Sequence, residues 1–370
     1  MNLHIIGLPH SITTEDWQTC AFTQKIWKFC KMMPQLGWEV IHYGVEGADV
    51  PTKKVDLVSR EEWDKYYDIK DQATFYNKSP NEFVARYNLL AVAALMDNST
   101  EEDAILFPYS QREIGQALTN RRLQVESGIG YEATFAPYKI FESRAWANRI
   151  YGKLGIEDGP HFDAVIPNYF DPEKLPLSKK KGDYFLYMGR LVPRKGVAIA
   201  ATVCQILGKK LVIAGQGTLA TANITDTKNI EFIGPINDPV EKAQLLGEAQ
   251  ALFSPTQYFE PFGGVTIEAA MCGTPVITSA HGCFPETIVQ EVTGWRCQLL
   301  DDYVQAAKRL DGFDPERIRK YAVANYSMDR VAKLYDLYFR RLQLANQPEG
   351  WIKPNEVNQE DLYWWDTIPA

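Results

Sequence analysis

Residues 251–275, ALFSPTQYFEPFGGVTIEAAMCGTP, decide the predicted fold because they combine a strand, a loop and a helix in one short run. The apolar segment Ala251–Pro255 predicts a buried strand, and Val265–Met271 predicts the helix that follows it. Gly263 and Gly264 let the backbone approach a ligand closely, since no side chain intervenes. The N–H groups and positive end of the following helix favour a phosphate. The stretch therefore predicts an α/β domain with an anion-binding turn beyond the carboxyl end of a strand.

Two acids flank this turn. Glu260 precedes the helix, and Glu268 lies about one turn inside it, on the side that can face a cleft. Carboxylates at such positions can accept hydrogen bonds from sugar or ribose hydroxyls. The alternative is an ordinary strand–loop–helix turn in which the two glutamates have no shared role.

A basic segment, Gly189–Gly196 (GRLVPRKG), directly follows the predicted strand Tyr184–Met188. Arg190 and Lys195 lie near strand and helix ends, so both can reach the same cleft. Two cations there would stabilise negative charge that develops on a leaving diphosphate. Arg194 is interpreted as a surface residue. The alternative for the whole segment is an ordinary basic loop.

Strand and helix patterns alternate in both halves of the chain, which predicts parallel sheets with helices on both faces. Residues 171–182, DPEKLPLSKKKG, interrupt the alternation and predict a linker. We therefore predict two Rossmann-like, doubly wound α/β domains facing a cleft, over residues 1–170 and 183–345. The tail, residues 346–370, is expected to pack back on the first domain.

The predicted strands and helices have the following approximate bounds. The strands are Leu3–Gly7, Glu39–Gly44, Ala104–Pro108, Leu123–Ser127, Asp163–Pro167, Tyr184–Met188, Lys210–Ala214, Ile230–Ile233, Ala251–Pro255 and Pro275–Thr278. The helices are Thr19–Gln35, Asn81–Met96, Phe141–Tyr151, Val197–Leu207, Pro239–Ala249, Val265–Met271, Tyr303–Leu310, Pro315–Asn325 and Asp329–Leu344.

Composition excludes several classes of protein. The 370 residues exceed one ordinary core, and 45% hydrophobic with 23% charged residues is typical of a globular protein. A formal charge of −8 gives no general field for nucleic acid. No segment reaches the roughly 18 apolar residues of a membrane span, and the N-terminus does not resemble a signal peptide. The six cysteines contain no CxxC pair, so we expect thiols in a cytoplasmic protein and neither a zinc site nor a disulfide framework.

The second half resembles the retaining glycosyltransferases of family 4, which implies the GT-B fold. The motifs cover residues 165–300, whereas residues 2–169 agree only in architecture. The segments that carry the resemblance are Gly189-Arg190 with Lys195-Gly196, Glu260 with Glu268, Val165-Ile166-Pro167-Asn168, Leu211–Gly217, and Gly282-Cys283-Phe284-Pro285-Glu286.

The resemblance implies roles for individual residues. Arg190 and Lys195 would hold the donor diphosphate, Glu268 the ribose hydroxyls and Glu260 the hydroxyls of the transferred sugar, so that Arg190, Lys195 and Glu260 form the catalytic set. The implied reaction transfers a hexose-type sugar from a nucleotide-diphosphate sugar, a UDP- or GDP-sugar, with retention of configuration and without a metal or other cofactor. Further donor contacts are implied for Gly189, Gly215, Phe262, Gly263, Gly264 and Val265.

The sequence departs from the family in the first domain. Relatives often carry a histidine after a central strand, where this chain has Val125–Tyr131. Glu126 either substitutes for it, contacting the donor sugar or acceptor, or is an ordinary strand-end acid. His10 is a second candidate beside the donor, against the alternative of an exposed loop histidine, and His281 is interpreted as packing beside Gly282.

The acceptor is left open as a carbohydrate, a lipid or a small molecule, bound by loops of the first domain. Those loops are the ones near His10, Tyr109–Arg112 and Glu126–Tyr131. In the tail, the aromatic residues either anchor it to the first domain or form a sugar-stacking or partner surface. They are Trp351, Tyr363, Trp364 and Trp365.

Parts of the sequence also agree with three other functions. Gly215–Ala220 fits the G-x-G-x-x-A pattern of dinucleotide-binding dehydrogenases, but the polar segment after it does not predict the required helix. A glycoside phosphorylase of the GT-B type would use Arg190 and Lys195 to bind inorganic phosphate. A non-catalytic nucleotide-binding module is the third, and the four intact charged residues argue against it.

Overall fold

The computed structural model describes residues 1–17, 20–68, 81–118 and 122–346, and the chain divides into two compact units. The first unit contains residues 1–142, 150–167 and the described residues from 331 onward. The second contains residues 143–149 and 168–330. Of the predicted C-terminal tail, everything after Asn346, including its aromatic residues, lies outside the described residues.

The first unit is built on a seven-stranded sheet in which every pairing is parallel. Its strands are β1 (Leu3–Ile6), β2 (Val40–Val45), β3 (Lys53–Val58), β4 (Ala104–Phe107), β5 (Leu123–Ile129), β6 (Tyr138–Phe141) and β7 (Ala164–Val165). The spatial order is β3-β2-β1-β4-β5-β6-β7, so the order reverses between β1 and β4. The α-helices described in this part of the chain are α1 (Ala21–Met32), α2 (Arg60–Asp64), α3 (Asn81–Asn98), α4 (Arg112–Ala117) and α5 (Arg144–Leu154).

The central strands form because their sequences are apolar without interruption. Every residue of β4, AILF, is buried, as is every residue of β1, LHII. Continuous apolar strands are expected where helices cover both faces of a parallel sheet. The one polar residue in these two strands, His4, hydrogen-bonds through Nδ1 to the Tyr43 hydroxyl at 2.8 Å.

The second unit repeats this plan with a six-stranded parallel sheet. Its strands are β8 (Tyr184–Met188), β9 (Lys210–Ala214), β10 (Ile230–Gly234), β11 (Leu252–Ser254), β12 (Val276–Ser279) and β13 (Gly294–Cys297). The order β10-β9-β8-β11-β12-β13 reverses between β8 and β11. The remaining helices are α6 (Val197–Leu207), α7 (Pro239–Glu248), α8 (Gly264–Met271), α9 (Phe284–Thr287), α10 (Leu300–Lys308), α11 (Pro315–Tyr326) and α12 (Met328–Ala345).

Aromatic packing holds each unit together. In the second unit, Phe185 of β8 packs on Phe253 of β11 with ring centroids 5.4 Å apart. In the first unit, α12 packs from residue 331 onward: Tyr335 lies edge-on to Phe29 at 5.4 Å, and Asp336 accepts a hydrogen bond from Trp38 Nε1 at 2.8 Å. Because large aromatic side chains bury much apolar area, these contacts account for a substantial part of the stability of each unit.

The two doubly wound parallel sheets confirm the predicted fold class. Three of the observed strands, β3, β6 and β13, were not predicted from the sequence. The helix predicted over Phe141–Tyr151 begins instead at Arg144, because residues 138–141 pair with β5 as strand β6. All six cysteines are buried free thiols, as expected. None of the described helices has the length and apolar character that a membrane span requires.

Candidate active site

The loops after β8 and β11 meet where the strand order of the second sheet reverses. In open α/β sheets, ligands bind beyond the carboxyl ends of the strands at this point. The first loop contains Gly189–Gly196 and the second leads from Pro255 to α8. A backbone hydrogen bond from Gln257 N to Arg194 O, at 2.8 Å, joins the two loops.

Close backbone approach requires glycine at two positions around these loops. A Cβ atom on Gly196, which has φ of +73°, would lie 1.9 Å from the Pro255 carbonyl oxygen. A Cβ atom on Gly215, in the turn after β9, would lie 1.9 Å from the Gly189 carbonyl oxygen. Since neither backbone atom can move like a side chain, both glycines are needed to bring the loops together.

The centre of the site is an ion pair between the predicted residues Lys195 and Glu260. The Lys195 Nζ atom lies 2.7 Å from Glu260 Oε2, and the two side chains are 21% and 9% exposed. The Tyr258 hydroxyl also hydrogen-bonds to Glu260. Burial raises the pKa of Tyr258 above its ordinary value, and the neighbouring Glu260 carboxylate adds to this effect, so Tyr258 is a neutral donor at physiological pH.

Two cations lie over the Tyr258 ring. The Lys195 ammonium lies 5.0 Å and the Arg194 guanidinium 5.1 Å from its centroid. The positive charge of Arg190, an exposed residue of the same loop, opposes the rise in pKa of both Tyr258 and Tyr187. The structure therefore brings Lys195 and Arg194 together over one ring, and Arg194 is exposed as expected.

Helix α8 begins beside this cluster. Its N-cap residue, Gly263, supplies no side-chain hydrogen bond to the first turn. The first N–H groups of a helix lack intrahelical acceptors and carry partial positive charge, so Gly264 and Val265 present an anion-binding end. Phe262 is buried just before the helix, where it stacks on Phe170 at 6.3 Å and fixes the direction of the turn.

Glu268, one turn into α8, forms a second ion pair that the sequence did not reveal. Its Oε1 atom lies 2.5 Å from Nζ of Lys242, on α7. The Glu268 side chain is 17% exposed and that of Lys242 is 28% exposed. Lys242 was missed because it meets Glu268 only through the tertiary fold. Tyr258 lies two positions before Glu260, but nothing in the sequence shows that its hydroxyl turns toward that carboxylate.

Glu286, the acid of the predicted G-x-x-P-E segment, fixes the start of α5. Its carboxylate accepts hydrogen bonds from the backbone N–H groups of Arg144, at 2.8 Å, and Ala145, at 2.7 Å. The preceding residue, Ser143, donates through Oγ to the Pro261 carbonyl at 2.7 Å. Glu286 thus holds residues 144 and 145 in place, and Ser143 beside them contacts the loop that follows Glu260. His281 is exposed and packs edge-on against Phe259 at 5.1 Å.

The two candidates of the first unit are both buried. Glu126 is fully buried, and its carboxylate accepts hydrogen bonds from Tyr131 Oη at 3.0 Å, Phe135 N at 2.6 Å and Ala136 N at 2.8 Å. Burial raises its pKa, and these three bonds oppose the rise. This arrangement favours the strand-end alternative for Glu126.

His10 is also buried, so the alternative of an exposed loop histidine is wrong. Burial lowers its pKa to about 4, which keeps the imidazole neutral at physiological pH. Among residues 1–17, 20–68, 81–118 and 122–346, no group of three or more histidine, cysteine, aspartate or glutamate side chains is arranged to hold a metal ion.

The two sheets and the loops at the second reversal point define the GT-B class of fold, and comparison with solved structures supports this. AviGT4, a glycosyltransferase involved in avilamycin A biosynthesis, superposes over 92% of this chain and 98% of its own with a TM-score of 0.68 at 21% identity. Anabaena HepE in complex with UDP-glucose superposes over 92% of this chain and 99% of its own, with a TM-score of 0.66 at 13% identity. At sequence identities this low, the structural likeness shows the fold alone.

Sequence comparison adds the nature of the second unit. Residues 171–311 match the family model of glycosyl transferases group 1, which covers both loops of the site. Glycogen synthase of Mycobacterium tuberculosis is 34% identical over 152 residues, which is 37% of this chain and 36% of that protein. The chain thus spans about a third of the length of this curated relative. Residues 171–311 form a glycosyl transferases group 1 domain.

Proposed function

We propose that the protein is a retaining glycosyltransferase of family 4. It transfers a hexose-type sugar from a nucleotide-diphosphate sugar, UDP- or GDP-linked, to an acceptor hydroxyl without a divalent metal. The observation that carries this proposal is the Lys195–Glu260 ion pair, 2.7 Å long, at the strand-order reversal of a glycosyl transferases group 1 domain.

The charges in the second unit suit a leaving nucleoside diphosphate. As the bond between the sugar C1 atom and the phosphate oxygen breaks, negative charge develops on the diphosphate. Lys195, Arg190 and the N-terminal end of α8 supply positive charge that can stabilise the diphosphate. This is the electrostatic task that a metal ion performs in other transferases.

The two glutamates suit the hydroxyl groups of the donor. Glu260, adjacent to Lys195, accepts from the hydroxyls of the transferred sugar, and Glu268 accepts from the ribose. Acceptor attack on the face from which the diphosphate leaves forms the new C1–O bond with retention. The acceptor proton then passes to the leaving diphosphate oxygen.

The donor class is supported by a neighbouring structure. HepE, which shares the fold, was crystallised with UDP-glucose and with UDP and glucose. Because the reversal point of an open sheet is a general nucleotide-binding position, the same location is proposed for the donor of this chain.

The proposal is tested by incubating the protein with UDP-, GDP- and ADP-sugars in EDTA and measuring release of nucleoside diphosphate. We expect one donor to be consumed in EDTA, faster when an acceptor sugar is present, and NMR of the product to show the anomeric configuration of the donor. Phosphate-dependent cleavage of a glycoside without donor turnover would identify a phosphorylase instead. Nucleotide binding without either reaction would identify a non-catalytic module.

A further inference from the structure

The contact between Lys242 and Glu268 joins two helices, α7 and α8. Lys242 lies in the first turns of α7, where the helix begins at Pro239 after the N-cap Asp238. A cation near a helix N-terminus is electrostatically unfavourable, since that end already carries partial positive charge. The dipole of α7 therefore does not favour Lys242 at this position, where its ammonium is paired with Glu268.

The geometry of the pair leaves half of the Glu268 carboxylate available. The Lys242 ammonium binds Oε1 at 2.5 Å, with the two side chains 28% and 17% exposed. A carboxylate has two oxygen atoms and about four acceptor positions, so Oε2 keeps its own acceptor positions. A partly buried carboxylate with one oxygen fixed has fewer orientations than a free one, which reduces the entropy lost when a ligand hydroxyl binds.

The two glutamates of the site do not share a cation. Glu260 is paired with Lys195 and Glu268 with Lys242, so each carboxylate has a separate lysine at 2.7 and 2.5 Å. Lys195 can therefore turn toward a diphosphate while Lys242 continues to balance the charge of Glu268.

We propose that Lys242 is a positioning residue for donor recognition, which holds the Glu268 carboxylate oriented toward the ribose hydroxyls. The inference rests on the proposed function and names a further determinant within the same site. Lys242 acts through Glu268 and does not contact the transferred sugar. It contributes to the preference for ribonucleotides over nucleotides that lack the ribose hydroxyls.

The test compares the affinities of UDP and 2′,3′-dideoxy-UDP by calorimetric titration, or the guanosine pair if GDP-sugars are the donors. We expect the wild-type protein to prefer UDP by about 30-fold and Lys242→Met to reduce this preference to about 3-fold, mainly by weakening UDP. In the Glu268→Gln background, Lys242→Met should change neither affinity further. Lys242→Arg should restore most of the preference, and Lys320→Met, at an exposed lysine of α11, is the matched control.

Each outcome separates the inference from the proposed function. If Lys242→Met lowers the melting temperature but leaves the UDP preference at the wild-type value, the ion pair is structural and the inference is wrong. If it weakens UDP and dideoxy-UDP equally, Lys242 contacts the diphosphate and the inference is also wrong. If the wild-type protein binds neither UDP nor GDP, both the inference and the proposed function are overturned.

Discussion

The two sheets have the same kind of strand order, yet the loops at their reversal points differ in chemistry. In the second unit the loops after β8 and β11 present partly exposed charged groups, with Lys195 at 21% exposure. In the first unit the corresponding loops after β1 and β4 are joined internally: Gln111 Nε2 donates to the Gly7 carbonyl at 2.7 Å, and His10 is buried. The same topology thus carries a charged site in one unit and a closed polar network in the other.

The buried charged groups of the first unit also bond to partners inside the fold. Lys25 forms a buried ion pair with Glu142 and also donates to the Gly128 carbonyl at 3.1 Å. Glu126 uses its carboxylate for three internal hydrogen bonds. Polar groups that are satisfied inside the fold stabilise it, whereas Lys195, Lys242 and Glu268 of the second unit keep part of their side chains exposed. The predictions below test this contrast.

The largest effect is expected for Lys195→Ala, which removes the cation beside the leaving diphosphate. Transfer should fall by about 100-fold or more, because a preorganised charge partner of the transition state is lost. Initial rates with the preferred nucleotide sugar measure it, with Lys228→Ala, an exposed lysine of the same unit, as control. A rate near that of the wild-type protein would show that Lys195 has no part in the chemistry.

The next effect concerns stability in the first unit. Glu126→Ala leaves the N–H groups of Phe135 and Ala136 and the Tyr131 hydroxyl without their acceptor, so the free energy of unfolding should fall by about 2 kcal/mol. Urea denaturation measures it against the exposed control Glu102→Ala. UDP affinity should be unchanged under conditions where the variant is folded. A variant of normal stability with weakened UDP binding would instead assign Glu126 to the donor site.

A smaller effect is expected for Tyr258→Phe, which removes only the hydroxyl that donates to Glu260. Loss of one hydrogen bond to a carboxylate that is also held by Lys195 should lower kcat/KM by about 5-fold. Steady-state kinetics over a range of donor concentrations measures this, and melting temperature serves as the control for folding. An unchanged kcat/KM would remove Tyr258 from the site.

The smallest effect is a pH dependence. Burial lowers the pKa of His10 to about 4 and that of His42 to about 3, and it also lowers the pKa of His4; all three lie in the first unit. The unfolded chain therefore binds more protons below about pH 6.5, and stability falls with falling pH by about 1 kcal/mol for each of His10 and His42 between pH 6.5 and 5.5. Replacing His42 by Asn should reduce the slope by one such increment in calorimetric scans. An unaltered slope would contradict the assigned neutral state of His42.

The fold and the glycine-containing turn of the second unit could be predicted from the sequence because both depend on local patterns. Strands such as Tyr184–Met188 and Lys210–Ala214 are continuous apolar runs bounded by glycine, and local pattern is sufficient to find them. Strand β3, KKVDLV, is half exposed, and β13, GWRC, is short and begins with glycine, so neither has a clear period.

Side-chain partners were harder to predict than elements. Lys195 and Glu260 were identified because each lies in a loop between a strand and a helix, but their direct contact joins residues 65 positions apart. The partner of Glu268 was not identified, since nothing in the sequence near Lys242 distinguishes it from an ordinary lysine of a surface helix. Glu126 remained undecided, because burial and hydrogen bonds at Phe135 and Ala136 depend on the tertiary fold.

The most direct test is the affinity of UDP compared with uridine, or of GDP with guanosine, for the wild-type protein and for Lys195→Ala. If the cations at the reversal point of the second sheet hold the diphosphate, the wild-type protein binds the diphosphate much more tightly than the nucleoside. Lys195→Ala should then weaken only the diphosphate. Equal affinities in the wild-type protein, or equal weakening of both ligands by Lys195→Ala, would contradict the assignment of this site.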